Sequence, residues 1–291
     1  MSVLAAPAIR AASIPLAFVL LWSTGFIVAR LGVPHGPPIG LLAARFILTL
    51  VVLTPLILLV RAKWPTPRQM LHLACAGLLL HAVYLSGVWY AISIGMPSAL
   101  SALIVNLQPI LTAVAVASAG QAVTGRQWTG LVAGFLGVVL VVAERFALDG
   151  LSFASMLACV AALLGITAGT LYQKRFVPSF DLRTGSFVQY FAATVVVLPI
   201  SLLFEDTPFH WNLELALALA WAVLALSIGA IFLLFLLIER GEATRVTSLL
   251  YLVPPTTALM AWLLFDERYG PLAAVGMMCA ALGVWLVQRR A

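Results

Sequence analysis

Ten apolar runs follow one another along this chain, separated by short connections. Hydrocarbon about 30 Å thick is crossed by about 20 helical residues, and backbone inside it must satisfy its own hydrogen bonds. Runs of this length are therefore read as membrane helices. They cover residues 15–33, 38–60, 70–94, 97–119, 127–143, 151–173, 184–204, 213–238, 244–265 and 270–287. Charge agrees: only 9% of the residues are charged, against about 25% in a soluble domain. So few charges cannot cover a water-facing surface. The net charge of +6 does not point to nucleic acid, because the basic residues lie between the runs rather than on one face. The first run follows Arg10, is too long for a signal peptide and has no small-residue cleavage site after it, so it is kept as a helix.

The loops set the orientation. Arg10, Arg126, the connections 61–68, 174–183 and 240–245, and the pair Arg289-Arg290 together hold twelve Lys and Arg; the opposite loops hold Arg145 and Arg268. This bias places both termini in the cytoplasm and Glu205-Asp206 outside. The chain also repeats itself. An offset of 146 carries Gly95 onto Gly241, Pro109 onto Pro255, Gly130 onto Gly276 and Gly137 onto Gly283; nearer the N-terminus an offset of 144 carries Val51 onto Val195 and Pro55 onto Pro199. Five spans per half is an odd number, so the second copy enters the membrane from the opposite side. The expectation is an all-α integral membrane protein of ten transmembrane helices, built as two inverted five-helix repeats over 1–146 and 147–291.

Pro109 and Pro255 interrupt the fourth and ninth spans. Proline has no N–H, so the carbonyls of Val105 and Tyr251 lose their helical donors. In hydrocarbon such backbone must face protein or a polar cavity, and paired breaks in two halves point to a transporter's binding site.

The run Leu21-Trp22-Ser23-Thr24-Gly25-Phe26, the pair Arg45-Phe46 and the Pro109 and Pro255 helices resemble EamA-type transporters of the drug/metabolite transporter superfamily. The resemblance spans nearly the whole chain. It implies a ten-helix basket whose fourth and ninth spans line a central cavity. It also implies an inner-membrane carrier that exports amino acids or related small metabolites, aromatic ones in one branch, by alternating access. One departure stands out: many members carry Glu at the end of the fourth span as well as after the ninth, and this chain has Gln121 and Glu267.

Candidate substrate-binding residues follow from depth and chemistry. Arg45 lies about 10 Å inside its span. Its default reading is snorkelling to the outer interface or bonding loop carbonyls; the alternative is a clamp for a substrate carboxylate. His81 lies about 16 Å into the third span and shares a helix face with Tyr84. It is either a proton or substrate ligand or a neutral ring bonded to a neighbouring Ser or carbonyl. Asn106 and Gln108 flank the first break, and Tyr251 precedes the second. Trp22 and Ser23 stand on the first helix, where small multidrug antiporters carry a membrane-embedded Glu. All ten carboxylates of this chain fall in loops or at helix ends, which leaves antiport through a buried acid without its usual group. The alternatives are a proton-coupled drug or metabolite antiporter, with His81 as the coupling group, and a flippase for lipid-linked intermediates.

Other classes lack their residues. There is no H-E-x-x-H, no G-x-S-x-G and no pair of acids within a span, so no catalytic residue is assigned and the chain is not read as an enzyme. Cys75, Cys159 and Cys279 sit singly in apolar runs, so no metal or other cofactor is expected. The expected partners are a small-molecule substrate and membrane lipid. Gly130, Gly134 and Gly137, echoed by Gly276, Ala280 and Gly283, allow close helix approach, either of the fifth span on the tenth or in a weak homodimer of an otherwise monomeric carrier.

Overall fold

The computed structural model describes residues 5–118, 124–149, 151–230, 233 and 252–288, and among them every element is helical. Helices occupy all ten apolar runs, in part only for 213–238 and 244–265. They are α1 (Ala5–Gly32), α2 (Pro38–Val60), α3 (Pro67–Gly77), α4 (Tyr84–Ser93), α5 (Ser98–Val105), α6 (Gln108–Ser118), α7 (Gly125–Asp149), α8 (Phe153–Phe176), α9 (Leu182–Phe204), α10 (Leu213–Trp221), α11 (Val253–Phe265) and α12 (Pro271–Gln288). Seven of the helical stretches are long and apolar enough to cross a membrane; Trp128–Val141, Val253–Phe265 and Pro271–Gly283 are shorter apolar helices. Trp64, Trp128, Trp211 and Trp285 are exposed, as interfacial tryptophans are.

Among the described residues, two spans contain a π-helical stretch. Leu78–Val83 joins α3 to α4, and Ala222–Ala230 continues α10. An offset of 144 carries Leu78 onto Ala222. A π turn adds a residue to each turn and rotates the side chains that follow, and it concentrates at functional sites. Gly165 and Gly169 of α8 seat the first stretch: a Cβ at Gly165 would lie 3.1 Å from the Leu79 carbonyl oxygen, and one at Gly169 2.7 Å from the Leu80 side chain.

The chain forms two compact units, and neither coincides with a sequence half. One gathers residues 28–96 and 151–223; the other gathers 1–27, 97–150 and 224–291. In the first, α2 and α9 run antiparallel, with Gly40 against Ser201, Phe46 against Tyr190, and Thr184 donating to the Lys63 carbonyl at 2.7 Å. Their buried faces are copies. Apart from Ala43, each buried residue of α2 from Gly40 to Ile57 has a buried counterpart in α9 at its own number plus 144. Asp181 caps α9, accepting from the Arg183 N–H at 3.0 Å and pairing with its guanidinium at 2.6 Å, and that guanidinium holds the Asp181 carboxyl below its usual range.

In the second unit, α7 and α12 are antiparallel and meet backbone to backbone. A Cβ added to Gly137 would lie 2.5 Å from the Gly276 carbonyl oxygen, one added to Gly276 would lie 2.5 Å from that of Gly137, and one added to Gly283 would lie 2.5 Å from that of Gly130. Exchanging the helices by the offset of 146 turns the Gly130–Gly283 contact into Gly276–Gly137, so the seam is self-complementary.

Among the described residues, three helix N-termini receive a carboxylate from their antiparallel neighbour. Glu205 accepts from the Ile39 and Gly40 N–H groups of α2 at 3.0 and 2.8 Å, Glu267 from Ser98 of α5 at 3.4 Å, and Glu144 from Ala273 of α12. These N–H groups have no partner within their own helices, and the helix dipole favours an anion there. At the repeat-equivalent places the sequence has Arg61, Gln121 and Arg290, none of which offers a charged acceptor.

Candidate functional site

Arg45, His81 and Tyr84 come together in the first unit, on residues that α2, the π stretch and α4 supply. Arg45 is 6% exposed. It does not snorkel: α2 is packed on α9 at this depth, the Tyr190 hydroxyl accepts from the guanidinium, and Tyr84 is a further electrostatic neighbour. Tyr190 is itself buried. Its ring stacks on His81 with centroids 4.3 Å apart and planes 24° apart, and it leans on Phe46 at 5.5 Å.

A chain of amides extends the cluster. His81 Nε2 lies 3.3 Å from Gln189 Oε1, which only accepts, so Nε2 carries the hydrogen. Gln189 Nε2 in turn donates to Gln173 Oε1 at 2.6 Å. The partner of His81 is thus a side-chain amide of another helix, in place of the expected Ser or carbonyl. Gly77 makes this possible. Any Cβ there would lie 2.5 Å from the Gln189 Cα, so α3 can approach α9 closely only with glycine at this position. Two turns of helix away, His72 Nδ1 lies 2.8 Å from the Tyr172 hydroxyl, and its ring stacks on Phe176 at 4.9 Å.

Sequence reasoning missed Gln189 and offers Tyr190 only as one of several aromatic residues that could form a stacking pocket. The signal was present in the repeat: 144 added to Arg45-Phe46 is Gln189-Tyr190. Gln173 carries no comparable mark.

The remaining candidates belong to the second unit. The fourth span is broken at Asn106-Leu107. The Leu107 N–H reaches back to Ile104 at 3.1 Å, the Ile110 N–H reaches Leu107 at 2.9 Å, and the Asn106 side chain donates to the Ala102 carbonyl at 2.7 Å. Pro109 has no N–H to give to Val105, and the donor that follows it turns to Leu107. Gln108 opens α6. Pro254 and Pro255 fall in the first turn of α11, where a missing N–H costs nothing. Asn106 and Leu107 line a small cleft together with Pro254 and Pro255, so the two break motifs are neighbours. Tyr251 lies outside the described residues, as does Gln121. Ser23 is fully buried and its hydroxyl donates to the Val19 carbonyl at 2.7 Å, while Trp22 leans on Phe18 of its own helix at 5.3 Å. Glu267 accepts from the Tyr269 hydroxyl at 2.8 Å as well as from Ser98.

Known proteins match over most of the chain. The model of the EamA-like transporter family matches twice, over residues 10–143 and 153–289. An uncharacterized inner membrane transporter, YedA of Escherichia coli, is 25% identical over 93% of this chain and 88% of its own length. A probable amino-acid metabolite efflux pump of the same species is 24% identical over 92% of this chain and 91% of that protein. An uncharacterized transporter of Archaeoglobus fulgidus is 26% identical over 92% of this chain and 93% of that protein. A solved crystal structure superposes with a TM-score of 0.66 at 19% identity, covering 95% of this chain and 96% of the other, and shares the fold. With its breaks, its helix pairs and two matches to one family model, this chain belongs to the EamA-like transporter family.

Proposed function

We propose that this chain is an inner-membrane carrier that exports small carboxylate-bearing metabolites, amino acids and their derivatives among them, by alternating access. The observation that carries this reading is Arg45, a guanidinium buried at membrane depth among phenols and aromatic rings. A buried ionisable group in a span is costly, about 2.5 kcal/mol or more on insertion scales, and in transporters it marks a substrate path. Arg binds carboxylates through two parallel hydrogen bonds, and the ring of Tyr190 beside it offers a flat apolar contact. The efflux-pump name of one relative is consistent with such a substrate.

The ten-helix inverted repeat is part of this proposal. Its supports are the copied buried faces of α2 and α9, the self-complementary glycine seam of α7 and α12, and the twelve-to-two bias of basic residues. Gly36→Cys and Thr207→Cys should label from outside the cell, and Trp64→Cys and Phe180→Cys should not; the reverse pattern removes the inverted arrangement.

Glu214 is the second residue of the run 213–238 and no carboxylate lies deeper in any apolar run, so transport runs down the gradient of the substrate. The test is efflux of a labelled carboxylate panel from proteoliposomes, with and without an imposed pH gradient. Saturable efflux lost in Arg45→Gln supports the reading, and efflux indifferent to Arg45 sinks it. Uphill transport driven by the pH gradient replaces the facilitator by an antiporter.

A further inference from the structure

The charges around Arg45 discriminate between two kinds of carboxylate, on the reading that Arg45 receives the substrate. A free amino acid brings an ammonium next to its carboxylate; a 2-oxo or 2-hydroxy acid of the same skeleton brings a neutral oxygen there. Whatever sits beside the carboxylate meets the groups that surround Arg45. These are the hydroxyls of Tyr190 and Tyr84, the His81 ring, and behind it the Gln189 and Gln173 amides. None of these groups is anionic, and a proton gained by His81 would only add positive charge.

The carboxylates of this unit are committed elsewhere. Asp181 pairs with Arg183 at 2.6 Å, Glu205 caps α2 at 2.8 and 3.0 Å, Glu214 lies 3.2 Å from His35, and Asp206 is exposed in the connection after α9. The amide oxygens are neutral and each already accepts a hydrogen bond, Gln189 Oε1 from His81 and Gln173 Oε1 from Gln189. An ammonium carried to this site would lose its water, find no anionic partner among the described residues of this unit and face a guanidinium a few ångströms away. A monoanion would neutralise the guanidinium and leave no second charge to desolvate.

We infer that the carrier selects monoanionic carboxylates, 2-oxo or 2-hydroxy acids with an apolar or aromatic side chain, over the zwitterionic amino acids of the same skeleton. Gln189, the repeat counterpart of Arg45, sets this preference by being an amide where a zwitterion site would place an acid.

The experiment is counterflow of three labelled probes, phenylalanine, phenyllactate and phenylpyruvate, into proteoliposomes holding wild type, Arg45→Gln, Arg45→Lys or Gln189→Glu. Flux into protein-free liposomes is subtracted. Wild type should take up the two monoanions at least about tenfold faster than phenylalanine. Arg45→Gln should abolish that uptake, and Arg45→Lys, which keeps the charge but not the paired donors, should retain part of it. Gln189→Glu should raise the ratio of phenylalanine to phenyllactate uptake, a change of preference that a misfolded protein cannot produce. Equal or faster phenylalanine uptake by wild type, lost in Arg45→Gln, overturns the selectivity and leaves Arg45 as the anchor. Uptake of all three unchanged in Arg45→Gln, or uptake of none by wild type, overturns both the selectivity and the assignment of the site.

Discussion

The α2/α9 pair and the α7/α12 pair obey one rule and fill it with opposite chemistry. Each brings a helix against its repeat counterpart, antiparallel. In α7/α12 the counterparts are the same residue or differ by one methyl group: Gly130 with Gly276, Gly137 with Gly283, Gly134 with Ala280. Backbone touches backbone, which suits close helix packing in lipid and leaves no side chain to receive a ligand. In α2/α9 the buried frame is equally well copied, but the residues in it differ: Arg45 with Gln189, Phe46 with Tyr190, Gly40 with Thr184. Identical counterparts would have placed two guanidinium groups in one buried seam, or none. In a duplicated chain, a copied frame marks the scaffold. Unlike residues inside that frame mark the place where chemistry was selected.

Substitutions can break that comparison at either seam. The largest effect on folding is expected in the glycine pair. Gly137→Val places side-chain atoms where backbone already lies at 2.5 Å, and overpacking of this kind costs about 1–3 kcal/mol or more. Thermal unfolding in detergent should show a lowered midpoint, and an unchanged midpoint would mean that the seam is not close-packed. At the polar seam the loss should fall on transport instead. Arg45→Gln should cut efflux at least about tenfold while the purified protein stays monodisperse. Loss of the folded protein rather than of transport would make Arg45 a structural residue. Glu205→Gln removes a charged acceptor from the start of α2 and should cost about 1 kcal/mol in the same melts. The smallest effect concerns Asp181. Its folded pKa is depressed by Arg183, so the pair stabilises above the unfolded carboxyl pKa of about 3.9 and that contribution fades as pH falls through the lower folded value. The pair lies at the surface and is worth at most about 1 kcal/mol, so Asp181→Asn should matter little at pH 7 and not at all near pH 2.

Much of this architecture could be read from residue order, and what escaped has physical causes. Hydrocarbon thickness sets the length of the apolar runs, so residues 38–60 were expected and found as one helix. The break at Asn106-Leu107 follows from the missing N–H of Pro109. The π stretch at Leu78–Val83 escaped because one added residue per turn leaves no mark in a uniformly apolar run. Snorkelling was the default for Arg45 because depth along one helix says nothing of the neighbour, and the neighbour is Tyr190. Gln189 carries no signal as a lone amide; it gains one only when the offset of 144 sets it beside Arg45. Trp22 and Ser23 stood out by resemblance, yet the Ser23 hydroxyl is spent on its own helix.

On the proposed function, Arg45 holds the substrate anion and its counterpart Gln189 does not. Equilibrium binding of labelled phenyllactate to the purified protein tests it most directly, with wild type, Arg45→Gln and Gln189→Ala compared at one pH. Saturable binding by wild type is expected, with a loss of at least about tenfold in Arg45→Gln and a change within about threefold in Gln189→Ala. Equal weakening by the two substitutions, or binding untouched by Arg45→Gln, would contradict it.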